Sequence, residues 1–340
     1  MVRRVIRVAA SRSQHAVRAY PMKSRNRKRS RKSTIIYWSI MALLFVILLG
    51  CGIYIYNDYM ERQNGEAETE ALRNTVVIQP TAGETAKEQQ ELKEGFDANL
   101  LRRIDFGKLQ SVNPDIQRWL FVPNTKIDEP VVNEPVPGRF FYDLRGWNKR
   151  YNGFGNFLVP KAPKDDKGRE VDDGHTLILG HRMHSMNGEW QFSNLPIRWG
   201  NIQGANQFPY VYLYYPDRAE RWTVWEALDI LGTDEMYNLP IPFGSDRYGE
   251  MLNHIQQFAR YRRDVGINVD KNVRTVMLST CNYVGEANKL HRFALVLVPD
   301  ATYYYKNKKY EDFSDTVKYN QWKSSIDRAQ NLYQAQKGDE

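Results

Sequence analysis

The sequence predicts a mainly β fold with some helix (α+β), in which a mainly antiparallel sheet forms a barrel or sandwich. Between residues 116 and 298 the apolar segments are short, rich in Val, Ile, Tyr, Phe and Trp, and separated by Gly, Pro, Asn and Asp. Their spacing leaves little room for crossover helices, which favours antiparallel pairing. The predicted strands are residues 116–122, 130–132, 155–159, 176–179, 210–215, 222–231, 275–280 and 293–298.

The chain opens with a basic tail. Residues 1–34 contain twelve Lys or Arg and no Asp or Glu, whereas the rest of the chain has 36 basic and 40 acidic residues. The net charge of +8 therefore belongs to the tail alone. A basic arm is typical of nucleic-acid binding, but this one leads directly into an apolar segment, so we expect no nucleic-acid partner.

Residues 35–56 contain no charged residue among twenty-two. A helix of this length, at about 1.5 Å per residue, would extend roughly 33 Å and could cross a hydrocarbon core of about 30 Å. Aromatic side chains lie near both ends, and the next segment offers no convincing signal-peptide cleavage site. The sequence thus predicts a single uncleaved membrane anchor. Lys and Arg before it predict a cytoplasmic N-terminus and an extracellular remainder.

Two different segments follow the predicted anchor. Residues 57–84 are polar, acidic and nearly free of aromatics, so we expect a solvated stalk. Residues 84–112 have apolar side chains at steps of four, which predicts one amphipathic helix docked on the domain surface and ended by the Asn-Pro-Asp sequence at 113–115. The apolar stripe of this helix would be formed by Leu92, Phe96, Leu100 and Ile104.

A second helix is predicted at residues 246–261, between two late strands, because apolar side chains recur there at helical spacing. The segment after residue 299 is rich in Tyr, and we expect it to dock as a helix, with a partner-binding surface as the alternative. The predicted domains are a basic tail (1–34), an anchor (35–56), a stalk (57–84), a folded domain (85–299) and a C-terminal extension (300–340).

Cys281 is the candidate nucleophile. It follows the predicted strand 275–280, and Arg292 lies just before the predicted strand 293–298. If these two strands are neighbours, the connection between them brings the guanidinium close to the thiol. A fixed positive charge favours the thiolate, which is the reactive form of cysteine.

The cysteine count supports this interpretation. Cys51 lies in the predicted anchor, so Cys281 has no intramolecular disulfide partner in the extracellular domain. An unpaired thiol in an oxidising compartment suggests a chemical use. The alternative is that Cys281 is a small buried apolar side chain. A zinc site is disfavoured, because Cys281 and the spacing His181-x-x-His184 leave the third and fourth ligands undefined.

One of six histidines should be the general base. His181 is the best placed, because it follows an apolar strand and Gly180, and a strand end beside a glycine lets an imidazole project into a cleft. His181 could also be an ordinary hydrogen-bonded surface or core histidine. The other five are His15 in the tail, His254 on the predicted helix, and His175, His184 and His291, which stay possible.

Together these motifs resemble the sortase signature, and specifically that of class B sortases. The resemblance rests on LSTC at 278–281, on HRFALV with Arg292 eleven residues after the cysteine, and on LILGHRM at 177–183. VNPDIQRWLFVPNTKIDEPVV at 112–132 is similar to that class's lead-in to its first strands, and the helix at 246–261 matches its inserted helix. The similarity covers roughly residues 95–298.

The resemblance implies a sortase-type closed β-barrel with an N-terminal helix and a helix inserted between late strands, preceded by one transmembrane helix. Cys281 would attack a Thr carbonyl in a C-terminal sorting signal and form a thioacyl enzyme. His181 would serve as acid and base for the departing and incoming amines, and Arg292 would hold the substrate backbone and the oxyanion. Ser279 and Thr280 would line the substrate groove.

The implied partners are surface proteins that carry a sorting signal, and an amine of a peptidoglycan cross-bridge or of a pilin lysine. The resemblance implies no cofactor. Three segments depart from the family's pattern, and the first of them lacks an expected Asp-Asn pair, so its substrate contacts cannot be transferred. These segments are residues 131–144, 160–163 and 184–190.

Two other classes of protein fit parts of the sequence. A wall cross-linking enzyme of the L,D-transpeptidase type would have Arg two residues after the cysteine, where this chain has Tyr283. A non-enzymatic, membrane-anchored wall-binding scaffold would carry Cys281 without using it.

Overall fold

The computed structural model describes residues 31–91, 97–183, 191–282 and 291–313. The chain divides into two units, residues 1–55 and 56–340. Helix α1 (Arg31–Val76) begins in the first unit, and it contains a stretch long and apolar enough to cross a membrane. The span predicted at residues 35–56 falls within this helix.

The second unit contains the strands. They are β1 (Val77–Ile78), β2 (Arg103–Ile104), β3 (Ile116–Phe121), β4 (Asp128–Asn133), β5 (Phe157–Val159), β6 (His175–Leu179), β7 (Tyr210–Tyr214), β8 (Arg218–Leu231), β9 (Ala259–Arg262), β10 (Thr275–Cys281), β11 (His291–Tyr304) and β12 (Lys309–Asp312). Its further helices are α2 (Ala82–Glu91), α3 (Phe106–Val112), α4 (Leu195–Arg198), α5 (Ile202–Gln207) and α6 (Asp246–Phe258). Short 3₁₀ turns lie at Ala98–Leu101 and Glu235–Tyr237.

Eight of the strands close into a barrel. Their order is β3-β4-β5-β6-β10-β11-β8-β7, and β7 pairs back with β3. The pairs β4–β5 and β6–β10 are parallel, and the other barrel pairs are antiparallel. β9 and β12 lie outside the ring, beside β8 and β11. The predicted mainly antiparallel barrel is confirmed, and the eight predicted strands are the eight barrel strands.

Side chains that alternate along the strands fill the barrel. Phe157, Ile178, Leu278 and Leu295 are fully buried inside it. The opposite faces of β6, β10 and β11 are covered by α6 and its flanking loops. Because both faces are buried, these strands read as continuous apolar runs rather than alternating ones. Burial of each large apolar side chain stabilises the fold by about 1.5–3 kcal/mol.

The inserted helix is confirmed, with an earlier end than predicted. The hydroxyl of Ser245 accepts a hydrogen bond from the backbone N–H of Tyr248 at 3.2 Å and so caps the start of α6. The helix ends at Phe258, and the residues that follow form β9. They leave the helix because they pair with β8, where Arg262 also forms an ion pair with Glu226.

The solvated stalk predicted at residues 57–84 differs from the structure. Residues 57–76 continue α1, and one face of this part contacts the domain. Glu68 accepts a hydrogen bond from Asn148 at 2.6 Å, and Arg73 donates to the carbonyl of Asp128 at 2.9 Å. Leu72 and Val76 add apolar contacts at the end of the helix. Most residues at 57–76 are polar, so the sequence shows no continuous apolar stripe there.

The single amphipathic helix predicted at residues 84–112 is wrong. The structure has α2, a 3₁₀ turn, β2 and α3 over this region. The carboxylates of Asp97 and Asp105 accept hydrogen bonds from backbone N–H groups two and three residues later, so each begins a new turn. Leu100 and Ile104 are nevertheless buried, as predicted. Leu92 and Phe96 lie outside the described residues.

The predicted boundary at residue 299 falls inside a strand. β11 continues to Tyr304, and β12 pairs with its second half. Tyr303 is buried. Up to residue 313 the extension therefore docks by strand pairing, in place of the predicted helix, and residues 314–340 lie outside the described part of the chain.

Candidate active site

Cys281 and Arg292 are direct cross-strand partners. β10 and β11 are antiparallel neighbours, and their register pairs these two residues. Paired residues of antiparallel strands have Cα atoms about 4.5–5.5 Å apart. Cys281 is half-buried, and the side chain of Arg292 leaves the backbone at the position directly across from it on β11. This is the arrangement that the two predicted strands implied.

His181 reaches the same edge of the barrel from β6. This strand is parallel to β10, with Leu179 paired to Ser279. His181 lies two residues beyond Leu179, as Cys281 lies two residues beyond Ser279, so the register places both at one level. Cys281, His181 and Arg292 line one cavity of about 250 Å³, together with Ser279 and Thr280. The structure therefore brings together all five predicted site residues.

Asp143 is the partner of the His181 ring. Nε2 of His181 lies 2.7 Å from the backbone carbonyl oxygen of Asp143 and 3.1 Å from its carboxylate. The hydrogen bond to this carboxylate raises the pKa of His181, against the opposing effects of partial burial and of Arg292. The same hydrogen bond lowers the pKa of Asp143. Nδ1 of His181 has no hydrogen-bond partner among the described residues and is the ring nitrogen available for chemistry.

The backbone at His181 is also held in place. Its N–H donates to the side-chain oxygen of Gln191 at 2.8 Å. Gln191 is buried and donates in turn to the carbonyl of Phe154 at 3.0 Å. A Cβ on Gly180 would lie 2.6 Å from the ring of Phe192, so only glycine fits before the histidine. Gly180, which distinguished His181 from the other histidines in the sequence, is required by this close packing.

A side-chain hydrogen bond links the residues that follow the histidine and the cysteine. Nη1 of Arg182 donates to the side-chain oxygen of Asn282 at 3.0 Å. Asn282 is buried and donates to Asp229 on β8. The ends of β6 and β10 are therefore joined just beyond the two candidate catalytic residues, which limits how far they can separate.

Ser279 and Thr280 border the cavity from within the sheet. Both are buried, and the hydroxyl of Ser279 lies 2.7 Å from the hydroxyl of Tyr237, in the 3₁₀ turn before α6. Burial raises the pKa of Tyr237, so its hydroxyl stays neutral. The hydroxyl of Thr280 is buried without a partner among the residues that the structure describes. Their contact with substrate stays a prediction.

The other histidines are placed elsewhere. His175 is buried, with Nδ1 2.8 Å from the hydroxyl of Thr275. His254 lies on α6, with Nε2 2.9 Å from a carboxylate oxygen of Asp234. His291 begins β11 and is half-buried. Within the described part of the chain, His181 alone among the histidines lines the cavity with Cys281. His15 and His184 lie outside that part.

Asp143 is the residue that the sequence did not reveal. It belongs to the segment that departs from the family's pattern, so no motif pointed to it. The available signal was a single carboxylate in the apolar run FFYDL at 140–144. Gln191, Tyr237 and Asn282 were missed for another reason, because each acts through a contact between segments that are distant in the sequence.

Comparison with known proteins gives a likeness in structure only. No protein-family model matches the chain, and no curated protein sequence matches it. Among solved structures, a mutant form of Clostridium perfringens sortase B has a TM-score of 0.51 and 21% identity, covering 68% of this chain and 96% of that one. A Staphylococcus aureus sortase B–substrate complex has 0.52 and 16%, covering 71% and 98%. Sortase B from Bacillus anthracis has 0.50 and 18%, covering 71% and 98%.

Proposed function

We propose that this chain, which has the fold of class B sortases, is a cysteine transpeptidase that processes C-terminal sorting signals. The observation that carries the proposal is the convergence of Cys281, His181 and Arg292 on one cavity, from three strand ends that are far apart in the sequence. In acyl transfer a thiol can act as the nucleophile, an imidazole with a carboxylate partner as the acid and base, and a guanidinium as the donor that stabilises the oxyanion.

In the first half-reaction the thiolate of Cys281 attacks the carbonyl carbon of a Thr residue in the sorting signal. A C–S bond forms, the peptide C–N bond breaks, and the protonated ring of His181 gives its Nδ1 proton to the departing amine. Arg292 donates hydrogen bonds to the carbonyl oxygen as negative charge develops there. The raised pKa of His181 supports this role, because it keeps more of the imidazole protonated near neutral pH.

In the second half-reaction an amine attacks the thioacyl carbon. Neutral His181 accepts the proton of the amine, a new C–N bond forms, and the thiolate of Cys281 leaves. The amine would come from a peptidoglycan cross-bridge or a pilin lysine, and the acyl group from a surface protein that carries the sorting signal. No step needs a cofactor.

The cavity supports a peptide substrate. Leu158, Leu179 and Phe140 provide apolar surface beside the catalytic groups, and Asn156 and Ser279 provide polar atoms. An extended peptide presents apolar side chains and backbone polar groups together, so this mixture suits it. We further propose that α1 anchors the protein in the cell membrane, with the N-terminus in the cytoplasm and the barrel outside.

The proposal is tested by incubating the full chain, in detergent, with a fluorogenic peptide of the Asn-Pro-x-Thr type. We expect turnover and a thioacyl adduct on Cys281 detected by mass spectrometry, both absent in Cys281→Ala and both unaffected by metal chelators. Activity on wall peptides alone would favour the L,D-transpeptidase class. If no sorting peptide forms an adduct, the scaffold interpretation is favoured.

A further inference from the structure

We propose that residues 57–76 of α1 position the catalytic histidine. They pack against residues 140–156, here called the support segment, and the support segment holds both the ring and the backbone of His181. This inference rests on the function proposed above, because it assigns His181 a catalytic role. It adds a second role to a helix that the sequence presented as a stalk.

The outer side of the support segment contacts α1 at positions 65 and 68, which lie three residues apart on one face of the helix. A Cβ on Gly65 would lie 2.6 Å from the ring of Phe154, so the helix backbone packs directly on this buried ring. Glu68 accepts a hydrogen bond from Asn148 at 2.6 Å and forms an ion pair with Arg150 at 3.4 Å.

Hydrogen bonds and close backbone contacts join the two ends of the support segment, so a displacement on the side that faces α1 reaches the side that faces His181. The side-chain oxygen of Asn152 accepts a hydrogen bond from the N–H of Gly155 at 2.8 Å, and its backbone N–H donates to the carbonyl of Leu144 at 3.1 Å. Gly155 has φ +69°, and a Cβ there would lie 2.2 Å from the carbonyl oxygen of Asp143. The backbone at 154–155 is therefore in direct contact with the backbone of Asp143.

The inner side of the support segment fixes His181 through two routes. Asp143 accepts from Nε2 of the ring through its carbonyl and its carboxylate. The amide nitrogen of Gln191 donates to the carbonyls of Phe154 and Gly155, at 3.0 and 3.2 Å, while its oxygen accepts from the N–H of His181. Phe154 thus contacts α1 with its ring and the Gln191 bridge with its carbonyl.

This arrangement is sensitive to small displacements. Catalytic groups must be held within about 0.5 Å of their productive positions. Any side chain at position 65 must displace the ring of Phe154, because the space for even a Cβ is already occupied. The displacement would pass to Asp143 and Gln191, and both contacts of His181 would lengthen.

The test compares Gly65→Leu with Ala67→Leu in the full chain, in detergent. Ala67 lies on the exposed face of the same helix, so Ala67→Leu controls for the added side chain. We expect Gly65→Leu to lower kcat for sorting-peptide cleavage by about tenfold or more, with KM little changed, and to lower the thermal midpoint by a few degrees relative to that of the control because the ring of Phe154 is displaced. The high-pH limb of its kcat/KM profile should also move to lower pH, because the contact with Asp143 that raises the pKa of His181 is weakened.

Equal kcat and equal pH profiles for the two variants would overturn the inference. A loss of activity with an unmoved pH limb would also overturn it, since it would mean that the helix only stabilises the fold. If Gly65→Leu fails to fold, Glu68→Ala provides the second variant. Its kcat should fall by about twofold, and the high-pH limb of its kcat/KM profile should move in the same direction, towards lower pH.

A substrate-free readout separates this inference from the proposed function. The pH dependence of Cys281 alkylation by iodoacetamide, followed by mass spectrometry of its peptide so that Cys51 does not interfere, reports on the neighbouring imidazole. A changed alkylation profile in Gly65→Leu, with no sorting peptide cleaved by the natural chain, would support the positioning role and reject the transpeptidase. An unchanged alkylation profile in Gly65→Leu, with sorting peptide cleaved by the natural chain, would support the transpeptidase and reject the positioning role.

Discussion

The two histidines at the ends of β6 have opposite electrostatic environments. His175 begins the strand, is 1% exposed and contacts the Thr275 hydroxyl. Burial lowers its pKa to about 4, so its ring is neutral at physiological pH. His181 follows the end of the strand, is half-buried and lies against Asp143, which raises its pKa. His175 and His181 are therefore only six positions apart along the chain, and they separate a neutral structural imidazole from one that favours the protonated form.

Between these two histidines, a carboxylate partner and partial exposure, rather than location on a strand, distinguish the ring whose pKa is raised from the ring whose pKa is lowered. The Tyr248 hydroxyl, 3.0 Å from that of Thr275, donates to the carbonyl of Val273 at 2.7 Å, so a chain of polar contacts leads from His175 into the core. No carboxylate takes part in that chain. His181 has a carboxylate on one side and the cavity with Cys281 on the other.

The largest expected effect separates the two histidines by function. We expect His181→Ala to lower kcat/KM for sorting-peptide cleavage by about 10²- to 10⁴-fold, the usual contribution of general acid–base catalysis. His175→Ala should keep the chemistry and lose about 1–3 kcal/mol of unfolding free energy, because it removes one hydrogen-bond partner of the Thr275 hydroxyl and leaves a cavity in the core. Peptide kinetics and chemical denaturation of both variants check this. Equal losses of activity at equal stability would contradict the comparison.

The next effect concerns the charge that faces Cys281. Arg292→Lys should keep the fold but lower kcat by about 10²-fold, because Lys provides a single point charge where two directed donors are needed. Steady-state kinetics and circular dichroism measure the two properties. Near-normal turnover would show that Arg292 has a structural role only. Arg198→Lys, on a half-buried arginine of α4 outside the cavity, is the matched control.

A smaller effect is expected when the environment of His181 is made more like that of His175. Asp143→Asn removes the carboxylate that stabilises the imidazolium, so the pKa of His181 should fall. Because the first half-reaction of the proposed mechanism needs the protonated ring, the high-pH limb of kcat/KM should move to lower pH, and kcat/KM at neutral pH should fall by about tenfold. A pH–rate profile with an unmoved limb would show that Asp143 does not govern the ring.

The smallest effect is on stability alone. The pKa of His175 is about 4 in the folded state and about 6.5 in an unfolded chain, so the unfolded state binds an extra proton between these values. The contribution of this site to stability is therefore lost as pH falls from about 6.5 towards 4. His175→Gln should reduce the fall in unfolding free energy over this range, as measured by urea denaturation at several pH values. If the unfolding free energy depends on pH with the same slope in both proteins, His175 binds its proton equally well in the folded and unfolded states.

The strands and the three catalytic candidates could be predicted, because two-sided burial leaves apolar runs and because the residues at the ends of those runs are chemically unusual. Cys281, His181 and Arg292 each follow or precede such a run. The region at 84–112 could not be predicted, since residues four apart, such as Leu100 and Ile104, were buried by a turn and a short strand instead of one helix. Asp143 and Gly65 depend on contacts between distant segments, which leave no local pattern.

The pairing of β8 with β11 affects whether other copies of the chain can add to the sheet by strand pairing. These 14-residue strands pair along almost their whole length and close the ring, so the side on which β8 and β11 meet presents no free row of backbone donors and acceptors. In the described part of its large sheet, the open edges belong to β9 and β12, which have four residues each and carry Arg260, Arg262, Lys309 and Glu311. Short, charged edge strands disfavour pairing with a strand of a second chain. We therefore expect a high local concentration of the protein not to cause β-aggregation through these edges.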